Sequence, residues 1–179
     1  MGGRSGPGGE EGYTLVEIAV TIAILGILVM LAISSFGELM EKYGVEAETK
    51  QLYADLMEAR GRAMQRNRYH FVRITETGYA TYEDSSPAPD GNRQYDAGSD
   101  NQVVSVTVKH GIATALAATG TADNVIFDRR GIAAGTGYIR FSVASGSSAI
   151  PDYDCITILE TRIRTGKYTS AGGGACVEK

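Results

Sequence analysis

Apolar residues fill the chain almost without interruption from Leu15 to Ile33. In this run of nineteen residues, only Glu17 and Thr21 are neither apolar nor glycine. As a helix that rises about 1.5 Å per residue, the run is about 28 Å long, which is close to the hydrocarbon thickness of a bilayer. The pattern therefore predicts a membrane-spanning helix with one carboxylate near its start.

After Ile33 the pattern becomes amphipathic, because apolar residues recur at spacings of three and four. The two sets are Phe36, Met40, Tyr43 and Ala47, and then Leu52, Leu56, Ala59 and Ala63, while acidic residues fill the other faces at Glu38, Glu41, Glu46, Glu48, Asp55 and Glu58. No proline interrupts residues 8–86. We therefore expect one helix from about Thr14 to about Asn67, weakened by about 1 kcal/mol at each interior glycine relative to alanine.

Beyond Asn67 the apolar period falls to two, which is typical of strands. The predicted strands are Tyr69–Ile74, Gly78–Glu83, Gln102–Lys109, Asn124–Asp128, Tyr138–Val143, Cys155–Ile158 and Thr161–Arg164. Segment 85–101, rich in proline and glycine, is expected to be a surface loop suited to a partner, and 111–122 has no clear pattern. Since no helical pattern separates the strands, the expected fold class is α+β, a long N-terminal helix packed against a mainly antiparallel sheet.

Composition changes this picture in two ways. The net charge of −4 gives no global basic field that would attract nucleic acid. The two cysteines are Cys155 and Cys176. In a chain that a membrane segment directs outward they predict one disulfide, and two free thiols are the alternative.

Residue patterns for catalysis and metal binding are missing from the sequence. His70 and His110 are expected in or beside strands, and Asp152 and Asp154 would point in opposite directions if extended. We therefore predict no catalytic residues, no metal site and no cofactor, and the chain is not expected to be an enzyme. Four arginines at the predicted helix end suit the helix dipole, and a nucleic-acid patch is the alternative; they are Arg60, Arg62, Arg66 and Arg68.

The N-terminal segment, residues 1–12, is polar, rich in glycine and not expected to fold. Three interpretations remain open: a secretory signal cut near Ala32-Ile33-Ser34, an uncut signal anchor, and a cut after Gly12 that leaves the apolar helix on the mature chain. Arg4 is the only basic residue before the apolar run, whereas acidic residues precede and enter it. This charge pattern disfavours the ordinary secretory signal.

The motif Gly12-Tyr13-Thr14-Leu15-Val16-Glu17 resembles the prepilin signature of type IV pilins and type II secretion pseudopilins. The resemblance implies that a prepilin peptidase cuts after Gly12 and methylates the new amine of Tyr13. It also implies that Glu17 pairs with the terminal amine of a neighbouring subunit during assembly. Independently, Thr14 and Glu17 have the spacing of a helix capping box.

The later sequence resembles the H-type pseudopilins and related minor pilins of the GspH/FimT group. The similar segments are Leu56–Ala63 with Arg66-Asn67, Val125–Gly131, Gly137–Phe141 and Ile156–Arg164. The implied protein is a structural minor pilin or pseudopilin, with a leader (1–12), a transmembrane and filament-core helix (13–34), an amphipathic half-helix (35–67) and a β-rich head (68–179). The C-terminal disulfide agrees with this resemblance.

The same resemblance implies partners and location. The partners would be other pilin or pseudopilin subunits, the prepilin peptidase and an assembly platform of the bacterial inner membrane. Before assembly the helix would lie in that membrane with the head in the periplasm. An alternative function is DNA binding for uptake, through Arg162, Arg164 and Lys167, with Tyr168 placed to stack on a base.

Overall fold

The computed structural model describes residues 12–88, 91–117, 124–170 and 174–179, without the side chains of 31–35. These residues form one helix, α1 (Leu15–Arg66), and ten strands. The strands are β1 (His70–Thr75), β2 (Gly78–Glu83), β3 (Asn101–Thr107), β4 (Ile112–Leu116), β5 (Asn124–Phe127), β6 (Ala133–Ala134), β7 (Gly137–Phe141), β8 (Cys155–Ile158), β9 (Ile163–Thr169) and β10 (Ala175–Glu178). Two compact units are present, Met1–Gly37 and Glu38–Lys179.

Both ends of α1 have identifiable caps. At the start, Thr14 Oγ1 accepts a hydrogen bond from the Glu17 backbone N–H at 3.2 Å, which is the N-terminal half of a capping box. At the end, Asn67 has a φ of 53°, and the Arg68 N–H donates to the Ala63 carbonyl at 3.2 Å, as in a Schellman motif. The predicted helix bounds are confirmed to within one residue.

The buried face of α1 agrees with only one of the two predicted apolar sets. Leu52, Leu56, Ala59 and Ala63 are buried as predicted, together with Val45. The other set is not buried, since Phe36, Met40 and Tyr43 are 61%, 57% and 56% exposed and Ala47 is exposed too. The physical reason is a break in phase, because the step of five from Ala47 to Leu52 turns the helix by about 500°, or 140° beyond one full turn.

The strands form two antiparallel sheets, which corrects the expectation of one. The first has the order β3-β2-β1-β5-β6 and the second the order β10-β9-β8-β7-β4. The first change of sheet falls between β3 and β4, where Glu48 of α1 accepts the backbone N–H groups of Lys109 and His110. Since that turn is held to the helix, β4 continues beside β7 and does not pair with β3.

Strands β4, β6 and β10 were not predicted, and the return strand is β9, not Thr161–Arg164. The alanine and threonine residues of β4 give little alternation of apolar and polar positions. The strand is instead defined by its pairing with β7 from Gly137 to Phe141. One apolar core takes residues from α1 and from both sheets, including Val72, Phe127, Ile139 and Ile156. This core holds the second half of α1 against the head.

Segment 85–101 is a loop as predicted, and its described residues are ordered by two buried carboxylates. Asp84 accepts the backbone N–H groups of Asn92 and Arg93 at 3.1 and 2.7 Å. Asp100 accepts those of Ser85, Ser86 and Asp96. Burial raises the pKa of Asp84 above its ordinary value, although these backbone hydrogen bonds act in the opposite direction.

Candidate functional site

The bond between Gly12 and Tyr13 lies at an accessible position just before α1. Both residues are exposed, and Tyr13 retains 79% of its accessible surface. An added Cβ at Gly12 would meet no other atom within 4 Å. The remainder of the expected leader, residues 1–11, lies outside the described residues. The position of Gly12 is therefore compatible with attack by a peptidase, and it remains a prediction.

Glu17 is an exposed carboxylate at the head of an apolar helix surface. Its backbone N–H is satisfied by Thr14, whereas its carboxylate has no hydrogen bond or ion pair with any residue that the structure describes. The neighbouring Leu15, Val16 and Ile18 are 83%, 69% and 50% exposed. The carboxylate is thus available to a group outside this chain, and the side chains next to it are apolar.

Exposed apolar residues continue along the first part of α1, and they include Val20, Ile22, Ile24, Leu25, Ile27, Leu28, Val29 and Met30. Among the residues that the structure describes, no helix is both long enough and apolar enough to cross a membrane.

The acidic face of the next helical segment makes contacts that the sequence pattern did not indicate. Glu41 accepts the Ala144 N–H at 2.7 Å, and Glu46 accepts the Asp152 N–H at 2.9 Å. Glu41 and Glu46 thus hold the loop between β7 and β8, and Glu48, as described above, holds the turn between β3 and β4. The hydrogen bond from Ala144 holds the pKa of Glu41 below its ordinary value, against the opposite effect of burial.

His110 lies at the centre of these contacts, with its side chain only 3% exposed. Its Nδ1 is 2.8 Å from Glu48 Oε2, and its Nε2 is 3.3 Å from Glu41 Oε1. Gly44 lies directly beneath the ring, because a Cβ added there would be 2.8 Å from His110 Cε1. The spacing of Leu52, Leu56, Ala59 and Ala63, continued by threes and fours toward the N-terminus, reaches Thr49, Val45 and Glu41. Continuing this spacing would therefore have predicted from the sequence that Glu41 faces the head.

At the C-terminal end, the structure contains the expected disulfide between Cys155 and Cys176, with 6.0 Å between the Cα atoms. The bridge joins β8 to β10, which lie on either side of β9. It passes beside Gly166, where an added Cβ would be 3.1 Å from Cys176 Sγ and would collide with the Val177 carbonyl. The disulfide thus fixes the edge strand of the second sheet.

The three residues predicted for nucleic-acid binding are not a free basic cluster. Arg162 and Arg164 both contact Glu178, at 3.5 and 2.9 Å. Lys167 is half-buried in β9, and the Tyr168 ring is covered by the Arg140 guanidinium, whose Cζ is 4.2 Å from the ring centroid. Because Glu178 pairs with both arginines and Arg140 covers the Tyr168 ring, this arrangement counts against the DNA-binding alternative.

The remaining titratable residues also have structural roles. His70 is fully buried at the start of β1, where burial lowers its pKa. Asp152 forms an ion pair with Lys42 at 2.8 Å, and Asp154 accepts the Tyr168 N–H. Within the described ranges, no group of histidine, cysteine and carboxylate side chains has the arrangement of a metal site.

A long capped helix that packs on two antiparallel sheets, with an exposed apolar segment at its start, fits the class of pilins and pseudopilins. A family model described as "type II transport protein GspH" matches residues 48–158. The chain belongs to this GspH family, within the GspH/FimT-like part of the pilin and pseudopilin superfamily. Neither the curated proteins nor the solved structures that were compared give a match. The matched region begins in the second half of α1 and ends with β8.

Proposed function

We propose that this chain is a structural, non-catalytic subunit of a type II secretion pseudopilus, cut after Gly12 and assembled through α1. The observation that carries the proposal is the unpaired carboxylate of Glu17 on an exposed apolar helix. A lone carboxylate in lipid costs several kcal/mol, and an opposite charge from a neighbour offsets that cost. The terminal amine of Tyr13 in an adjacent subunit is such a charge.

The proposed pathway uses each part of the chain in turn. The run from Leu15 to Ile33 inserts into the inner membrane and leaves the head, residues 68–179, in the periplasm. A prepilin peptidase removes residues 1–12 and methylates Tyr13. Residues 13–34 then leave the membrane through an assembly platform and enter the core of the filament. Membership of the GspH family supports the secretion system over a type IV pilus.

The exposed apolar set on the following turns of α1 supports assembly through this helix. Phe36, Met40 and Tyr43 each retain more than half of their accessible surface. Burying apolar surface of this kind against other subunits releases about 25 cal/mol per Å². Residues 35–67 would thus have two roles, since one face packs on the head and another faces neighbouring subunits.

The test combines the mature terminus with a matched pair of charge variants. Intact-mass analysis of native protein should show a chain that begins with methylated Tyr13. Glu17→Gln should be cut normally and fail to enter filaments, whereas Glu38→Gln should do both normally. Glu38 is a fair control because it is another exposed carboxylate of α1 with no partner among the described residues.

Two results would contradict the proposal. A native terminus at Met1 or beyond Ile33 would exclude cutting after Gly12. Normal incorporation of Glu17→Gln would show that the carboxylate does not supply the pairing on which the proposal depends.

A further inference from the structure

Two arginines lie beside Tyr69, between the end of α1 and the start of β1, and a third lies against the turn that carries one of them. The Cζ atoms of Arg93 and Arg129 are 5.9 and 6.0 Å from the centroid of the Tyr69 ring. Arg60 of α1 lies against the same turn as Arg129, because its Cγ is 3.2 Å from the position of a Cβ at Gly131. We call Arg60, Arg93 and Arg129 the Tyr69 arginine site. Its members come from a helix, a loop and a turn.

Three carboxylates of this region are paired with other arginines, and a fourth, Asp84, accepts the backbone N–H groups of Asn92 and Arg93. The pairs are Glu58 with Arg62 at 2.6 Å, Glu83 with Arg66 at 3.4 Å and Arg68 at 3.7 Å, and Asp128 with Arg130 at 3.2 Å. Among the residues that the structure describes, no carboxylate lies within ion-pairing distance of the three members of the site. The site therefore carries positive charge that the described part of the chain does not neutralise.

Two of the three guanidinium groups also have an unsatisfied polar atom. The Nε atoms of Arg60 and Arg129 are buried, and neither has a hydrogen-bond acceptor among the described residues. Buried donors normally have acceptors, and a donor on a charged group is especially costly to leave without one. Because these Nε atoms are shielded, a ligand from outside would pair with the terminal nitrogens of the same two guanidinium groups, which have no ion pair with a described residue.

The backbone around the site is fixed before any ligand arrives. The Arg93 N–H donates to the buried Asp84 carboxylate at 2.7 Å. The turn that carries Arg129 is closed by the Gly131 N–H, which donates to the Asp128 carbonyl at 2.9 Å. The Tyr69 ring lies at the outer limit of the cation–π range from both guanidinium groups, which favours their lying near each other.

We propose that the Tyr69 arginine site binds the carboxylates of an acidic segment of a partner protein. Guanidinium groups suit carboxylates because the planar fork donates two parallel hydrogen bonds. A long polyanion fits less well, since the carboxylates of Glu58, Glu83 and Asp128 interrupt the positive surface on several sides. A partner with two or three adjacent acidic residues supplies about as many carboxylates as the site has arginines. This binding does not depend on assembly through α1.

The experiment measures binding of a fluorescein-labelled peptide with three consecutive glutamates, by anisotropy, to the full chain in mild detergent. The matched variants are Arg129→Gln and Arg130→Gln, which remove the same charge from adjacent residues. Because Arg130 is 79% exposed and already paired with Asp128, only Arg129 belongs to the site. We expect Arg129→Gln to weaken binding at least about tenfold and Arg130→Gln to change it less than about twofold.

Arg93→Gln should weaken binding as Arg129→Gln does. Because Arg93 is exposed, this second variant controls for loss of binding by misfolding of Arg129→Gln. The same peptide with glutamines in place of glutamates should not bind. Absence of binding by the glutamate peptide, or equal loss from Arg129→Gln and Arg130→Gln, would overturn the proposal. Tighter binding of a single-stranded oligothymidylate, lost steeply with added salt, would overturn it in favour of a nucleic-acid site.

Discussion

Replacing Gly44 by alanine tests whether the contacts between α1 and His110 hold the head together. In a helix interior, alanine is favoured over glycine by about 1 kcal/mol. At Gly44 the new Cβ would lie 2.8 Å from His110 Cε1, a distance at which an atom must move. The ring has little room, because Glu48 and Glu41 contact its two nitrogens at 2.8 and 3.3 Å.

The two effects can be compared in free energy. Overpacking of a well-packed site costs about 1–3 kcal/mol, so after the helix gain Gly44→Ala should destabilise the protein by about 0–2 kcal/mol. Gly61 is the matched control, since it lies in the same helix and a Cβ there would meet nothing within 4 Å. Gly61→Ala should stabilise by about 0.5–1 kcal/mol. The two variants should thus differ by about 1–3 kcal/mol.

The assay is equilibrium urea unfolding of the full chain in mild detergent, followed by tyrosine fluorescence, because the chain has 10 tyrosines and no tryptophan. A double-mutant cycle isolates the contact. In a His110→Ala background, Gly44→Ala should become stabilising, as Gly61→Ala is in the wild type. Equal stabilisation by both glycine substitutions in the wild type would refute the reasoning, because it would show that the ring moves at no cost.

Three further predictions concern the head and its contact with α1, and urea unfolding measures each. Gly166→Ala should destabilise by about 1–3 kcal/mol, because its Cβ collides with a backbone carbonyl of β10, and a stability equal to wild type would contradict the described register. Replacing Cys155 and Cys176 together by alanine should cost about 3 kcal/mol for a bridge with a sequence separation of 21, and reduced wild type should match the variant. Glu41 has a lowered pKa in the folded state, so its stabilisation is present above its ordinary pKa of 4.5 and is lost as the pH falls through the folded value. Glu41→Gln should therefore lose less stability than wild type below about pH 4.5, and parallel pH profiles would exclude this role.

The helix and most strands could be predicted because their signals are local. Residues 8–86 contain no proline, and the cap at Thr14 and the left-handed Asn67 lie within a few residues of the boundaries that they set. The alternation in β2 and β8 gave their bounds as the structure has them. Family resemblance predicted the class of protein, and the match over 48–158 confirms it.

What the sequence did not indicate depends on contacts distant along the chain. The carboxylate of Glu48 resembles any solvated charge until His110, 62 residues later, is placed beside it. Strand β10 has only four residues, and it is defined by its pairing with β9. Arg162 and Arg164 both form ion pairs with Glu178 of that same strand. The expected basic cluster could therefore not be assessed before β10 was known.

The loops held by Glu41, Glu46 and Glu48 have a consequence for mechanics. A subunit that is pulled by its helix carries the force in shear between α1 and the head. Apolar contacts allow sliding, since they have no preferred direction, whereas hydrogen bonds resist it because they weaken steeply with misalignment. The bonds from Ala144, Asp152 and His110 are spread over two turns of α1. An axial force must therefore break several of these hydrogen bonds together before the helix can slide along the head.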